Sequence, residues 1–253
     1  MFCIRFVLSL ALCFSLVATP ISFAQETLRL VNHAWPPYSG KSLYNKGLAI
    51  DLVTTCFARA GYNTQLEIAP WKRALKGTLT GAYDILLTAS FSEERASKAL
   101  YSDPYLINDI SFMQRAGSGF EFKSLEDLDG LTIGVIDGYI YQPQFDIATN
   151  FVKEKIVSDA LALKMLVAGR IDLVIVDRLV AAYTIKQNNG LSAQDMETLA
   201  NPLNLKNLHI IIRRTKPGHE KIIADFNQSL QEMHSDGTYQ EILDRHLDKL
   251  DAY

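Results

Sequence analysis

Two residues of opposite charge, each placed just beyond a buried-looking apolar run, carry the strongest chemical signal in this 253-residue chain. Arg95 follows the run Asp84-Ile-Leu-Leu-Thr88, and Asp177 directly follows Ile171-Asp-Leu-Val-Ile-Val176. A guanidinium offers two parallel donors that match a carboxylate, and a fixed carboxylate receives an ammonium. The pair is therefore suited to holding a zwitterion. Trp35, Tyr38 and Trp71 flank predicted strand ends, where they supply flat apolar walls or a cation–π face. Each has a plainer reading. Arg95 can be a surface arginine beside its glutamates, Asp177 the cap of a helix beginning at Arg178, and the tryptophans core residues. Residue types and spacing leave both readings open.

Catalytic signatures are missing. The chain has no phosphate-cradling loop, no nucleophile elbow and no paired-histidine zinc helix. Its five histidines, at 33, 209, 219, 234 and 246, are scattered, which gives no support for a metal, and nothing in the sequence calls for a cofactor. His33 stands beside Trp35 and within reach of a cleft, while His219, His234 and His246 are expected on the solvated surface of the C-terminal helices. Cys56, between Val53 and Phe57, reads as a small core residue rather than a nucleophile. No basic run or aromatic-basic stripe suggests nucleic acid.

The elements that must position these residues begin after residue 24. Arg5, the apolar run Phe6 to Val17, Pro20 and Ser22-Phe-Ala24 form an export signal too short to span a bilayer as a folded helix. Its removal leaves 229 residues with 24 basic against 28 acidic, a net charge of −4, and Cys56 alone. No internal disulfide can then form. The remainder alternates short strands and helices, as an α/β protein does. Strands are expected at 27–31, 66–68 and 84–88, with helices at 47–60, 71–80 and, capped by Ser92, 93–100. A second series has strands at 131–136, 155–157 and 171–176, a helix capped by Ser158, and a helix over 178–187. A strand at 208–212 precedes two amphipathic helices broken at Gly237. The two series share one grammar, and open α/β sheets bind ligands outside the carboxyl ends of their strands.

Five stretches in order resemble the bacterial extracellular solute-binding proteins, family 3, the periplasmic receptors of polar amino-acid ABC importers. They are Ala34-Trp-Pro-Pro-Tyr-Ser39 with Gly47-Leu-Ala-Ile-Asp51, Ser92-Glu-Glu-Arg-Ala96 with Tyr101-Ser-Asp-Pro-Tyr105, and Leu128-Asp-Gly-Leu-Thr-Ile-Gly-Val135. The other two are Ala168-Gly-Arg-Ile-Asp-Leu-Val-Ile-Val-Asp177 and Asp236-Gly-Thr-Tyr-Gln-Glu-Ile242. The resemblance implies a two-lobed, type II periplasmic-binding-protein-like fold with a ligand cleft between the lobes. Lobe 1 would comprise residues 25–108 and 208–253, and lobe 2 residues 109–207.

By the same resemblance, Arg95 would hold the ligand α-carboxylate and Asp177 its α-amino group. Trp71, Trp35 and Tyr38 would line one wall, with Tyr139 facing them from lobe 2. The stretch from Asp84 to Arg95 is one residue shorter than in many amino-acid receptors, leaving Ser90 or a neighbour as the further carboxylate donor. Arg73, in Pro70-Trp-Lys-Arg-Ala74, is either a second cation for a more acidic ligand or part of a solvated helix face. The implied protein is a periplasmic monomer that captures an amino acid or related carboxylate by hinge closure, for an inner-membrane ABC permease. The alternatives are an enzyme resembling the periplasmic cyclohexadienyl dehydratases, for which no general acid can be nominated, and a sensory or orphan binding protein. If Arg95 and Asp177 face an open, wet cleft, neither is buried. Replacing either with Ala should then change unfolding free energy by no more than about 0.5 kcal/mol.

Overall fold

The computed structural model describes residues 25–251. The expected export signal lies outside the described residues. Among those described, no helix is long and apolar enough to cross a membrane.

Both halves of the chain use the same strand grammar. In the first, β1 (Thr27–Asn32) lies between β2 (Asn63–Ile68) and β3 (Ile85–Ala89), all three parallel. In the second, β6 (Thr132–Ile136) lies between β7 (Val152–Ile156) and β8 (Leu173–Asp177), again parallel. Parallel strands need crossover helices, and the apolar periodicity supplies them. α1 (Leu48–Arg59) buries Leu48, Leu52, Val53, Cys56 and Phe57, the face expected from their spacing. α2 (Trp71–Thr80) ends at Gly81, whose φ of 96° gives the left-handed C-cap. The short α3 (Glu93–Ala96) follows β3, and α4 (Pro143–Ile147) joins β6 to β7. α5 (Asp159–Val167) starts at Ser158, whose hydroxyl accepts from the Leu161 amide at 3.3 Å. α6 (Arg178–Gln187) follows β8.

Four strands complete the sheet. β4 (Ala99–Tyr101) pairs with β10 (Asn204–Arg213), and β9 (Met196–Thr198) pairs with β5 (Leu106–Arg115). The main path runs β2-β1-β3-β10-β5-β8-β6-β7, so the ladder is continuous from one half to the other. The join is a ribbon in which Leu106–Ile110 of β5 pairs antiparallel with Asn204–Leu208 of β10. Beyond it β5 pairs with β8, while β10 from His209 onward pairs with β3 and β4. Helices α7 (His219–Ser235) and α8 (Thr238–Asp251) close the chain, broken as expected at Gly237, which has a φ of 86°. Ile222, Ile223, Phe226, Leu230 and Met233 of α7 are buried, and α7 packs on α1.

Several sequence expectations change. The helix expected over 93–100 stops at Ala96, because Ala99–Tyr101 is taken into the sheet opposite Ile211–Arg213. Ser92 makes no side-chain cap there. β5 was not expected, and β10 is ten residues long rather than five. His246 is buried, not solvated: its Nε2 lies 2.9 Å from Asp51 Oδ2, which also accepts from Asn45 at 2.9 Å. Cys56 sits in the core as expected, its thiol pushed up to about 12 by burial.

Candidate functional site

In each half the chain leaves the middle strand for one neighbour and later returns on the other side, so the carboxyl ends of β1 and β3, and of β6 and β8, flank a switch point. The residues following those ends are the candidates: His33, Trp35 and Tyr38 after β1, Ser90 and Arg95 after β3, Tyr139 after β6, and Asp177 at the end of β8.

The turn after β1 is held tightly. Trp35 and Ser39 exchange backbone hydrogen bonds at 2.8 and 2.9 Å, and Ser39 Oγ donates to the His33 carbonyl at 2.5 Å. The start of α1 grips the other side, where the Leu48 and Ala49 amides donate to the Pro37 and Tyr38 carbonyls at 3.1 and 2.9 Å. Gly47 permits this approach: its φ is 107°, and a Cβ there would stand 2.6 Å from the Tyr38 carbonyl oxygen. Tyr38 is consequently fully buried. Its ring stacks on Trp35 at 4.3 Å between centroids, Trp35 stacks on His33 at 5.6 Å, and His33 meets Trp71 edge-on at 5.3 Å. The Arg95 guanidinium lies 5.9 Å from the Trp71 ring centre, continuing the row with a cation–π contact. Burial lowers the pKa of His33 to about 4, and its Nδ1 is buried without a hydrogen-bond partner. The neighbouring Asn32 accepts from Thr88 at 2.7 Å, while its Nδ2 is likewise buried and unpartnered.

Two adjoining cavities lie along this row. The wider, about 790 Å³, is lined by Trp71, Ser90, Arg95, Lys98 and Lys206 among others. The narrower, about 110 Å³, is lined by Trp35, Asn108, Tyr139, Asp159, Asp177 and Lys206 among others. Ile140 and Lys206 line both. Lys206 donates to the Ile140 carbonyl at 2.8 Å, and burial lowers its pKa.

Asp177 departs from expectation. It is only 8% exposed. Its Oδ1 accepts from the Val180 amide at 2.8 Å, capping α6, and its Oδ2 accepts from Tyr38 Oη at 2.8 Å and Asn108 Nδ2 at 2.5 Å. Burial raises its pKa, opposed by these donors. Asp177 is therefore at once a helix cap and a buried link to the turn after β1 and to β5, not a wet, unpartnered carboxylate. Arg95, by contrast, is partly exposed.

Of the residues singled out from sequence, Trp71, Ser90 and Arg95 come together in the wider cavity, and Trp35, Tyr139 and Asp177 in the narrower one. Tyr38 lines neither cavity and backs the narrower one through Trp35 and Asp177. Arg73 lines neither. It pairs on the surface with Glu67 at 3.0 Å, with both side chains at least half exposed. Sequence reasoning missed Asn108, Asp159 and Lys206. Asn108 and Lys206 lie on β5 and on the first half of β10, where polar residues interrupt the apolar pattern.

A family model described as Bacterial extracellular solute-binding proteins, family 3, matches residues 29–249. The L-cystine-binding protein TcyJ of Escherichia coli (strain K12) is 25% identical over 215 residues, covering 83% of this chain and 78% of that protein. The crystal structure of the P235GK mutant of ArgBP from T. maritima superposes with a TM-score of 0.65 at 22% identity, over 88% of this chain and 95% of that one. The ancestral amino acid-binding protein AncCDT-1, a precursor of cyclohexadienyl dehydratase, superposes with a TM-score of 0.64 at 24% identity, over 87% and 94%. These likenesses show the two-lobed type II fold expected from the sequence.

Proposed function

The chain belongs to the bacterial extracellular solute-binding proteins, family 3, and from that premise we propose that it captures a small zwitterion, an amino acid or a related carboxylate, in the cleft between two lobes. Lobe 1 is residues 25–108 with 208–253, and lobe 2 is residues 109–207. The change of β10 partners between Leu208 and His209 supports this division. The β5–β10 ribbon is the hinge, and the solute favours the closed state through contacts made only there. Residues 1–24 direct export to the periplasm, where the protein works as a monomer and hands its solute to an inner-membrane ABC permease.

The observation that carries the reading is the aromatic row that joins a cavity holding Arg95 to one floored by carboxylates. Arg95 takes the solute carboxylate bidentately, with Ser90 beside it and Trp71 beneath. The aromatic walls of Trp35 and Tyr139 take the body of the solute, and the acidic floor that Asp177 helps to form takes its cationic end. No chemistry follows capture, and incubation with prephenate or arogenate should yield no aromatic product.

Titration calorimetry with amino acids and their carboxylate analogues, after a thermal-shift screen, tests the assignment. Arg95→Ala should weaken binding by roughly 2–5 kcal/mol, about 30-fold to several thousand-fold, because it leaves a desolvated carboxylate unpaired. Wild-type affinity in this variant would remove Arg95 from the site.

A further inference from the structure

α6 falls in lobe 2, yet it is fastened to lobe 1 at both of its ends. At its start, Asp177 Oδ2 accepts from Tyr38 Oη at 2.8 Å, across 139 positions of chain. In its last turn, Lys186 Nζ donates to the Lys249 carbonyl of α8, and α6 packs on α8. Neither pair includes a residue of the β5–β10 ribbon. The groups at the first fastening are each fixed within their own lobe. The Tyr38 turn is hydrogen-bonded to the start of α1, an approach that Gly47 permits, and Asp177 caps α6 through the Val180 amide. Tyr38 is wholly buried and Asp177 nearly so, which shields the bond from water. Burial and the Asp177 carboxylate raise the Tyr38 pKa and keep its hydroxyl a donor. Phenylalanine would stack on Trp35 as the Tyr38 ring does, but it would not reach Asp177.

We infer that the Tyr38 hydroxyl is an interlobe latch, which ties lobe 1 to lobe 2 through Asp177 and α6 and biases the protein toward closure before any solute arrives. Both partners belong to the chain, so the latch forms without a ligand. Rotation of lobe 2 about the ribbon separates two groups that cannot follow each other, because the turn is bonded to α1 and the carboxylate to α6. The open arrangement must then hydrate a hydroxyl and a carboxylate that closure had paired. Asp177 gives one of its roughly four lone-pair positions to Tyr38, one to Asn108 and one to Val180. A position is left for a cation of the solute. Latch and solute therefore pull on one carboxylate in the same direction, each favouring closure. Tyr38 is a positioning residue in this scheme, and the inference rests on the two-lobe reading proposed above.

The test is pulsed dipolar spectroscopy between nitroxides on Lys76→Cys in α2 and Glu154→Cys in β7, on protein dialysed from urea to strip solute and with none added. Both labelled sites are exposed, and buried Cys56 escapes the label. With Tyr38 in place the lobes should give one main distance. Tyr38→Phe should add a longer one and raise the ratio of open to closed molecules by at least about tenfold, as loss of a charge-assisted bond. Lys186→Ala, at the far end of α6, should move the ratio the same way by a smaller factor. Circular dichroism checks that each variant is folded. An unshifted distribution in Tyr38→Phe would overturn the latch. Should that variant fail to fold, an unshifted Lys186→Ala would overturn it instead. A chain with Tyr38 that already stands mostly at the longer distance would do the same. None of these results touches the solute-binding reading, which the titrations test separately.

Discussion

Replacing Asp177 with Ala should destabilise the fold, although the position reads from sequence as a ligand contact. The substitution removes the acceptor that caps α6, which is worth about 1 kcal/mol. It also strands Tyr38 Oη and Asn108 Nδ2, whose residues are 0% and 7% exposed. A buried donor left without its acceptor costs about 1–3 kcal/mol. Against these stands a gain: Asp177 no longer buries a charge, and its raised pKa shows that burial outweighs what its donors return. The net loss should be about 2–4 kcal/mol. Urea unfolding at pH 7, followed by far-ultraviolet circular dichroism, measures it. Asp177→Asn keeps an oxygen for the Val180 amide but turns an NH2 toward Asn108 Nδ2, and should lose about 1–2 kcal/mol, less than Asp177→Ala. Tyr38→Phe supplies the decisive control. Alone it should cost about 1.5–3 kcal/mol, as loss of a charge-assisted bond. In the Asp177→Ala background it should cost nothing or restore stability, because the hydroxyl it removes is already stranded. A loss below about 0.5 kcal/mol for Asp177→Ala, or additive effects of the two changes, would refute the reasoning.

Two further outcomes follow from the same elements. Gly47→Ala places a Cβ against the Tyr38 carbonyl at a φ of 107° and should lower stability by about 3 kcal/mol, while shifting Trp35 fluorescence; an unchanged urea midpoint would count against the packing of that turn. Asp84 accepts from Arg29 at 2.9, 3.0 and 3.0 Å, with Lys216 at 3.5 Å. Burial alone would raise its pKa, but the Arg29 bonds, with the Lys216 and Arg29 charges, together outweigh burial and lower it. Its folded value is thus below the unfolded one, so its contribution is complete above the unfolded pKa and is lost as pH falls through the folded one. Asp84→Asn should cost about 2–3 kcal/mol at pH 7, trimmed by the half-exposed Arg29 side chain, and the gap to wild type should narrow below about pH 4. A gap that stays constant down to pH 3 would exclude the ion pair as its source.

The parts of the fold visible in the sequence are those whose stability is local or strongly periodic. α1, α2, α5 and α6 announce themselves by apolar spacing and by Gly81 or Ser158 at their ends, and β3 and β8 by runs such as Leu173-Val-Ile-Val176. β5 and the first half of β10 do not. Asn108, Asp109, Ser111 and Gln114 break the apolar pattern of β5, as Asn204, Lys206 and Asn207 break that of β10. They are strands because they pair with each other across a separation of nearly a hundred residues, and a window of ten residues holds no record of that partner. The same pairing claims Ala99–Tyr101, which a local reading extends as helix.

The site was legible to a similar depth, and the limit has the same cause. A position such as Arg95 or Trp71 can be placed near a cleft because strand ends are local features. What a carboxylate does there depends on which donors reach it first. The Asp177 acceptors are taken by residues 139 and 69 positions away and by its own helix, so its role cannot follow from the run that precedes it. Asp159 sits at an inconspicuous helix start, and what singles it out is the lack of such donors. Two aspartates in one cavity thus differ in the donors that reach them, through hydrogen bonds that distant residues make or withhold. A motif read on the chain names candidates for a cleft, and only the three-dimensional distribution of donors separates a carboxylate tied into the fold from one that is not.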